Sequence, residues 1–126
     1  MTKTNRGTPA GPDRVGPPVD LLRVGDRLTL LASLPGVKAS DLRVYLVGDR
    51  QISLEGTVEY RHPVPREGLA LSERAYGPFS RSIQLPLPVD PGRVTVAFQD
   101  GVLTVDLPIR AQEVHLEWQT EGGAGR

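Results

Sequence analysis

The chain has 126 residues, which suits one domain with flanking segments; such a domain buries roughly two thirds of the surface its unfolded chain exposes. It has no cysteine, which excludes a disulfide framework and thiolate chemistry. Fifteen basic residues balance fifteen acidic ones, so charge gives no reason to expect nucleic acid or an anionic membrane as partner.

Residues 1–17 hold Gly, Pro, Thr and charge with almost nothing to bury, the composition of a disordered arm. Lys3 and Arg6 are followed by no apolar run, and no stretch approaches the ~20 apolar residues that span a bilayer, so a cytoplasmic protein without a signal peptide is expected. From there on the chain alternates with period two. Leu28, Leu30, Ala32 and Leu34 oppose Arg27, Thr29 and Ser33. Leu42, Val44 and Leu46 oppose Arg43, Tyr45 and Val47. Ile52, Leu54, Gly56 and Val58 oppose Gln51, Ser53, Glu55 and Thr57. Phe79, Ile83 and Leu85 oppose Ser80, Ser82 and Gln84. Val94, Val96 and Phe98 oppose Thr95 and Ala97, and Leu103, Val105 and Leu107 oppose Thr104 and Asp106. Short strands of this kind predict an all-β, immunoglobulin-like antiparallel β-sandwich of seven to nine strands. No segment of helical length carries an apolar stripe of period 3.6.

The connections carry turn chemistry. Gly48-Asp49-Arg50 can close a hairpin, and Ser40-Asp41 could cap at most one helical turn. Val89-Asp90-Pro91-Gly92 places Pro and Gly in the central positions of a type II turn. Leu85-Pro86-Leu87-Pro88 cannot be a central strand and suits a crossing between sheets. Asp100-Gly101 predicts a tight hairpin turn, with Gly101 as the structural residue that takes positive φ without strain. Pro108 is expected to end the pairing that follows, because it has no N–H to donate. Residues 59–70 break the rhythm with Pro63, Pro65 and Gly68 and form a long loop, and loops of that length are often functional.

Two strings in this order, residues 71–86 (LSERAYGPFSRSIQLP) and 98–108 (FQDGVLTVDLP), resemble the small heat-shock protein family, ATP-independent chaperones built on an α-crystallin domain. Val19-Asp20-Leu21, Ala32-Ser33-Leu34-Pro35-Gly36-Val37 and Leu54-Glu55-Gly56 match as well. The resemblance covers roughly residues 18–108, leaving 109–126 as a C-terminal extension.

The resemblance implies several sites. In bacterial and plant members the long loop carries a strand that pairs with a partner subunit, which implies a loop-swapped homodimer using Tyr60, Arg61, His62, Val64 and Leu69. The family also keeps an arginine near the subunit contact at the place of Arg81. By its own parity, Arg81 falls with Phe79 and Ile83 on the apolar face, where an unpaired guanidinium costs several kcal/mol. A carboxylate, backbone carbonyls, an interface partner or snorkelling to an edge could each satisfy it. The family further has an apolar groove, here Val44 and Leu46 with Val94 and Val96, that takes an isoleucine-x-isoleucine-type segment from a neighbour. Val96 stands where the family usually has a smaller residue. Val114-His115-Leu116 is the one loose match to the docking motif; docking through Val114 and Leu116, folding back onto the chain's own sheet, and disorder all remain open. The arm departs from the family: no Phe, Trp, Tyr, Leu or Ile precedes Leu21, so a dimer or small oligomer is expected rather than a large shell.

Catalytic readings find little support. His62 and His115 are far apart with no ligand-spaced companion, no serine sits in a nucleophile elbow, and no phosphate loop or dinucleotide fingerprint occurs. Neither an enzyme nor a cofactor is expected. Tyr45, Tyr60 and Tyr76 read as packing or rim residues. The expected function is that of a holdase, which binds non-native client proteins reversibly and leaves refolding to ATP-dependent chaperones downstream. The alternative is a co-chaperone-like sandwich that binds one folded partner.

Overall fold

The computed structural model describes residues 16–111. The expected arm up to residue 15 lies outside the described residues, as do His115 and the docking pair Val114 and Leu116. Among these described residues seven strands run in chain order: β1 Val19–Val24, β2 Arg27–Ser33, β3 Leu42–Val47, β4 Gln51–Val58, β5 Gly77–Gln84, β6 Thr95–Gln99 and β7 Val102–Pro108. They form two antiparallel sheets, a four-stranded one in the order β1-β2-β7-β6 and a three-stranded one in the order β3-β4-β5. The expected sandwich is therefore present.

Register explains the core. Leu28, Leu30 and Ala32 of β2 pair with Leu107, Val105 and Leu103 of β7, and all six side chains are buried. Ile52 and Leu54 of β4 close the core from the other sheet, with Leu34, Val37, Leu85 and Val89 contributed by connections. The opposite parity is polar. On the outer face of the three-stranded sheet, Ser53 is only 6% exposed, but its Oγ lies 3.0 Å from the Oγ of its cross-strand partner Ser82, so the buried hydroxyl is satisfied. On the outer face of the larger sheet, Thr29 Oγ1 donates to Asp106 Oδ1 at 2.9 Å.

Asp100 and Gly101 close the β6–β7 hairpin with φ of 55° and 78°, the pair of positive values that a two-residue type I′ turn requires. The crossing after β5 also behaves as expected, carrying the chain from one sheet to the other. It is clipped to the β3–β4 turn, since Leu85 N–H donates to Arg50 O at 2.7 Å and Val89 N–H to Asp49 O at 2.9 Å. The short helical turn around Ser40-Asp41 is a 3-10 turn, Ala39–Asp41, with no side-chain cap.

Two expectations are corrected. Asp90-Pro91-Gly92 does not make a type II turn: Pro91–Arg93 form a 3-10 turn in which the Gly92 N–H donates to Asp90 Oδ1 at 3.1 Å. The aspartate side chain supplies the acceptor, so Gly92 does not need the positive φ that a type II turn demands. Nor does Pro108 end the pairing. It is the last residue of β7, opposite Arg27, and its carbonyl accepts from the Asp90 N–H at 2.8 Å. Ile109 extends the ladder through its N–H to Asp26 O, 2.8 Å, and bridges Val89. Proline lacks a donor but keeps its acceptor, and here only the acceptor is used.

Candidate functional site

Among the described residues β3 and β6 are outermost strands of different sheets, so each has one backbone edge that no described strand pairs with. The register sets Val44 opposite Leu54 and Leu46 opposite Ile52, on the inward parity of β3. Likewise Val96 is opposite Val105 and Phe98 opposite Leu103. Val44, Leu46 and Val94 are half-buried against the core. Val96 differs: it shares the inward parity of Val105, which is 0% exposed, yet is itself 53% exposed. At this rim the core face continues past its cover and presents apolar side chains to solvent. Alternation locates all four residues on the inward face; only the packing separates Val96 from the others.

The long loop joins β4 to β5, and among its described residues one 3-10 turn, Arg66–Gly68, is its only regular element. Its inner structure is aromatic and cationic. Tyr60 OH donates to Val64 O at 2.7 Å, and His62 Nε2 lies 2.7 Å from Tyr76 OH. The rings of Tyr60, His62 and Tyr76 meet edge to face, with centroids 4.9 to 5.8 Å apart. The Arg66 guanidinium lies 5.1 Å from the Tyr60 ring centroid and 5.4 Å from that of Tyr76, and Arg74 lies 5.4 Å from Tyr76. Arg61 pairs with Glu59 at 2.9 Å and donates to Gly36 O at 3.3 Å, tying the loop to the β2–β3 connection. Of the expected dimer residues, Tyr60, His62 and Val64 share one cluster, with Arg61 on Glu59 beside them, while Leu69 is half-buried past the 3-10 turn. The roles of Arg66, Arg74 and Tyr76 were not legible from the sequence, because no spacing rule links residues brought together by a loop closing on itself.

Arg81 stands apart from that cluster. It is half-buried on β5, opposite Leu54, and its Nη1 donates to Pro17 O at 2.9 Å. Of the partners left open above, this structure supplies a backbone carbonyl, from the segment that composition assigned to the arm. Gly16 beside it has φ +115°, and a Cβ there would lie 2.9 Å from Ser80 O. No helix among the described residues is long and apolar enough to cross a membrane. Among the same residues no cluster of three or more His, Cys, Asp or Glu is placed to hold a metal ion.

Among the described residues the chain is thus a two-sheet β-sandwich with half-open apolar rims, strand edges that no described strand covers and a structured loop. The chain belongs to the Hsp20/alpha crystallin family, whose model matches residues 21–120. It is 36% identical to Heat shock protein 16 of Schizosaccharomyces pombe over 98 residues, 77% of this chain and 68% of that protein. It is 35% identical to Spore protein SP21 of Stigmatella aurantiaca over 102 residues, 81% of this chain and 60% of that protein. Among solved structures, Heat shock protein 16.0 from S. pombe superposes with a TM-score of 0.70 at 27% identity, covering 84% of this chain and 86% of that one. A small heat-shock protein from Xylella fastidiosa, described as having a distinct high order structure, gives 0.68 at 29% identity, covering 82% and 94%. The family comprises non-enzymatic chaperones with a stress-related role.

Proposed function

We propose that this protein is an ATP-independent holdase, which binds partly unfolded proteins under stress and keeps them from aggregating. The observation that carries the reading is Val96: an inward-facing valine on an outermost strand, more than half exposed beside a fully buried neighbour. Non-native chains expose apolar side chains and unpaired backbone, and a rim of this kind offers both complements at once. Binding that prefers the non-native state shifts populations without an energy source, so release and refolding fall to ATP-dependent chaperones in the cytoplasm.

In this reading the working unit is a homodimer joined through the loop of residues 59–70, with Tyr60, Arg61, His62, Val64 and Leu69 at the contact and Arg81 near it. The groove of Val44, Leu46, Val94 and Val96 receives the segment carrying Val114 and Leu116. The arm, poor in apolar residues, keeps the assembly small.

The test is to heat an aggregation-prone enzyme without ATP and follow light scattering, with and without the protein. Suppressed scattering at a molar excess for several unrelated enzymes is expected. Absence of suppression for all of them removes the holdase reading.

A further inference from the structure

Residues 70–75, between the 3-10 turn of the long loop and β5, are all exposed and belong to no strand or helix. Leu71 is 77% exposed, more than any other large apolar side chain among the described residues. A scattered surface leucine needs no explanation. This one is two residues from the lining of a cavity of about 590 Å³, to which Glu73, Arg74 and Ala75 belong. Two residues of extended chain cover about 7 Å. The other walls are largely apolar, with Pro35, Val37, Val58, Pro78 and Phe79 among them. The Arg74 guanidinium is held against this lining. It lies 5.4 Å from the Tyr76 ring centroid, and its Nη2 is 3.2 Å from where a Cβ on Gly36 would stand.

We propose that a second copy of this chain docks here around a two-fold axis, with Leu71 of each copy entering the cavity of the other. The proposal rests on the homodimer reading above and adds a contact outside residues 59–70. Leu71 is too exposed to occupy the cavity of its own chain. In a two-fold interface one patch serves both partners, so it must complement itself: where a first residue meets a second, the second meets the first. Residues 71–76 satisfy that condition. They carry an apolar knob, Leu71, and part of the hole, Ala75 and Tyr76. Between knob and hole stand one negative and one positive charge, Glu73 and Arg74. Around an axis beside these two residues, each glutamate faces the arginine of the other copy, and the two pairs form together. Burial of both leucines removes apolar surface from water, which favours association.

The test uses the full chain, which has no native cysteine. One sample carries Leu71→Cys, a second, labelled with nitrogen-15, carries Ala75→Cys, and the two are mixed and mildly oxidised. The disulfide between unlike chains, told from like pairs by mass, is expected to exceed both like pairs. Gln84→Cys, at the far end of β5 from Gly77, replaces Ala75→Cys in the control for random collision. An unlike-chain disulfide no more abundant than in the control would overturn the proposal. Charge reversal reads the axis. Glu73→Arg and Arg74→Glu should each weaken the dimer in sedimentation, and an equal mixture of the two variants should restore it, because unlike charges then meet at both pairs. A mixture as weak as the single variants would overturn the two-fold arrangement. Sedimentation also separates this proposal from the reading it rests on. A dimer without the unlike-chain disulfide overturns the docking and leaves the homodimer standing, whereas a monomer overturns both.

Discussion

The Arg81 guanidinium and the Pro17 carbonyl, 64 positions apart, meet at 2.9 Å and hold the start of β1's lead-in against β5 of the other sheet. A cation on the inward parity of a strand is thereby satisfied without a carboxylate. The same contact ties the two sheets together where their sequence-distant ends converge.

Arg81→Ala is expected to lower the unfolding free energy by about 1–3 kcal/mol, the loss of a hydrogen bond to a charged group with its carbonyl left half-buried. Urea denaturation reads this directly. Arg81→Lys should recover part of the loss. A midpoint identical to that of the parent chain would mean that the contact contributes nothing to folding.

Gly56 lies opposite Phe79, and a Cβ added there would come 2.6 Å from the ring's Cζ and 2.9 Å from Asp41 O. Gly56→Ala should destabilise by about 1–3 kcal/mol through overpacking. Combining it with Phe79→Leu should cost less than the two single changes summed, because the ring is one of the two obstacles. Strict additivity in the double-mutant cycle would locate the strain elsewhere.

Gly101 adopts φ +78° in the β6–β7 turn. Gly101→Ala is expected to cost about 1–2 kcal/mol, the penalty for a side chain in the left-handed region. Thermal unfolding by circular dichroism would register the drop in melting temperature.

Val96→Asp should leave the unfolding midpoint within about 0.5 kcal/mol of the parent, as expected for an exposed position. It should nevertheless weaken suppression of client aggregation in the scattering assay. A folded variant with full protective activity would take the β6 rim out of client binding.

Tyr45 donates its phenolic hydrogen to Glu55 Oε2 at 2.6 Å across β3 and β4. This hydrogen bond, with lesser contributions from desolvation and the Glu55 charge and opposed by Arg43, raises the phenol above its ordinary value of 10.0. The folded state therefore favours the protonated form. Its contribution to stability is complete below the unfolded-chain value and disappears as pH rises through the folded one. In a spectrophotometric titration, Glu55→Ala should move the Tyr45 transition to lower pH, and an unmoved transition would contradict the pairing.

Alternation of apolar and polar residues, together with Asp100-Gly101 and the proline-rich crossing, was enough to place the strands, their inward faces and the tightest turn. These are local properties: a side chain's face follows from period two, and a turn from the φ its own residues tolerate. The same alternation put Val44, Leu46, Val94 and Val96 on the inward parity but carried no information on which of them the opposite sheet would cover. Only tertiary structure decided that Val96 stays open, that Arg81 finds Pro17, that Tyr60, His62 and Tyr76 meet, and that Ile109 continues a ladder which Pro108 was expected to stop. Each of these joins groups distant in sequence or depends on which atoms of a residue remain unpaired, and those are set when sheets and loops pack rather than when strands form.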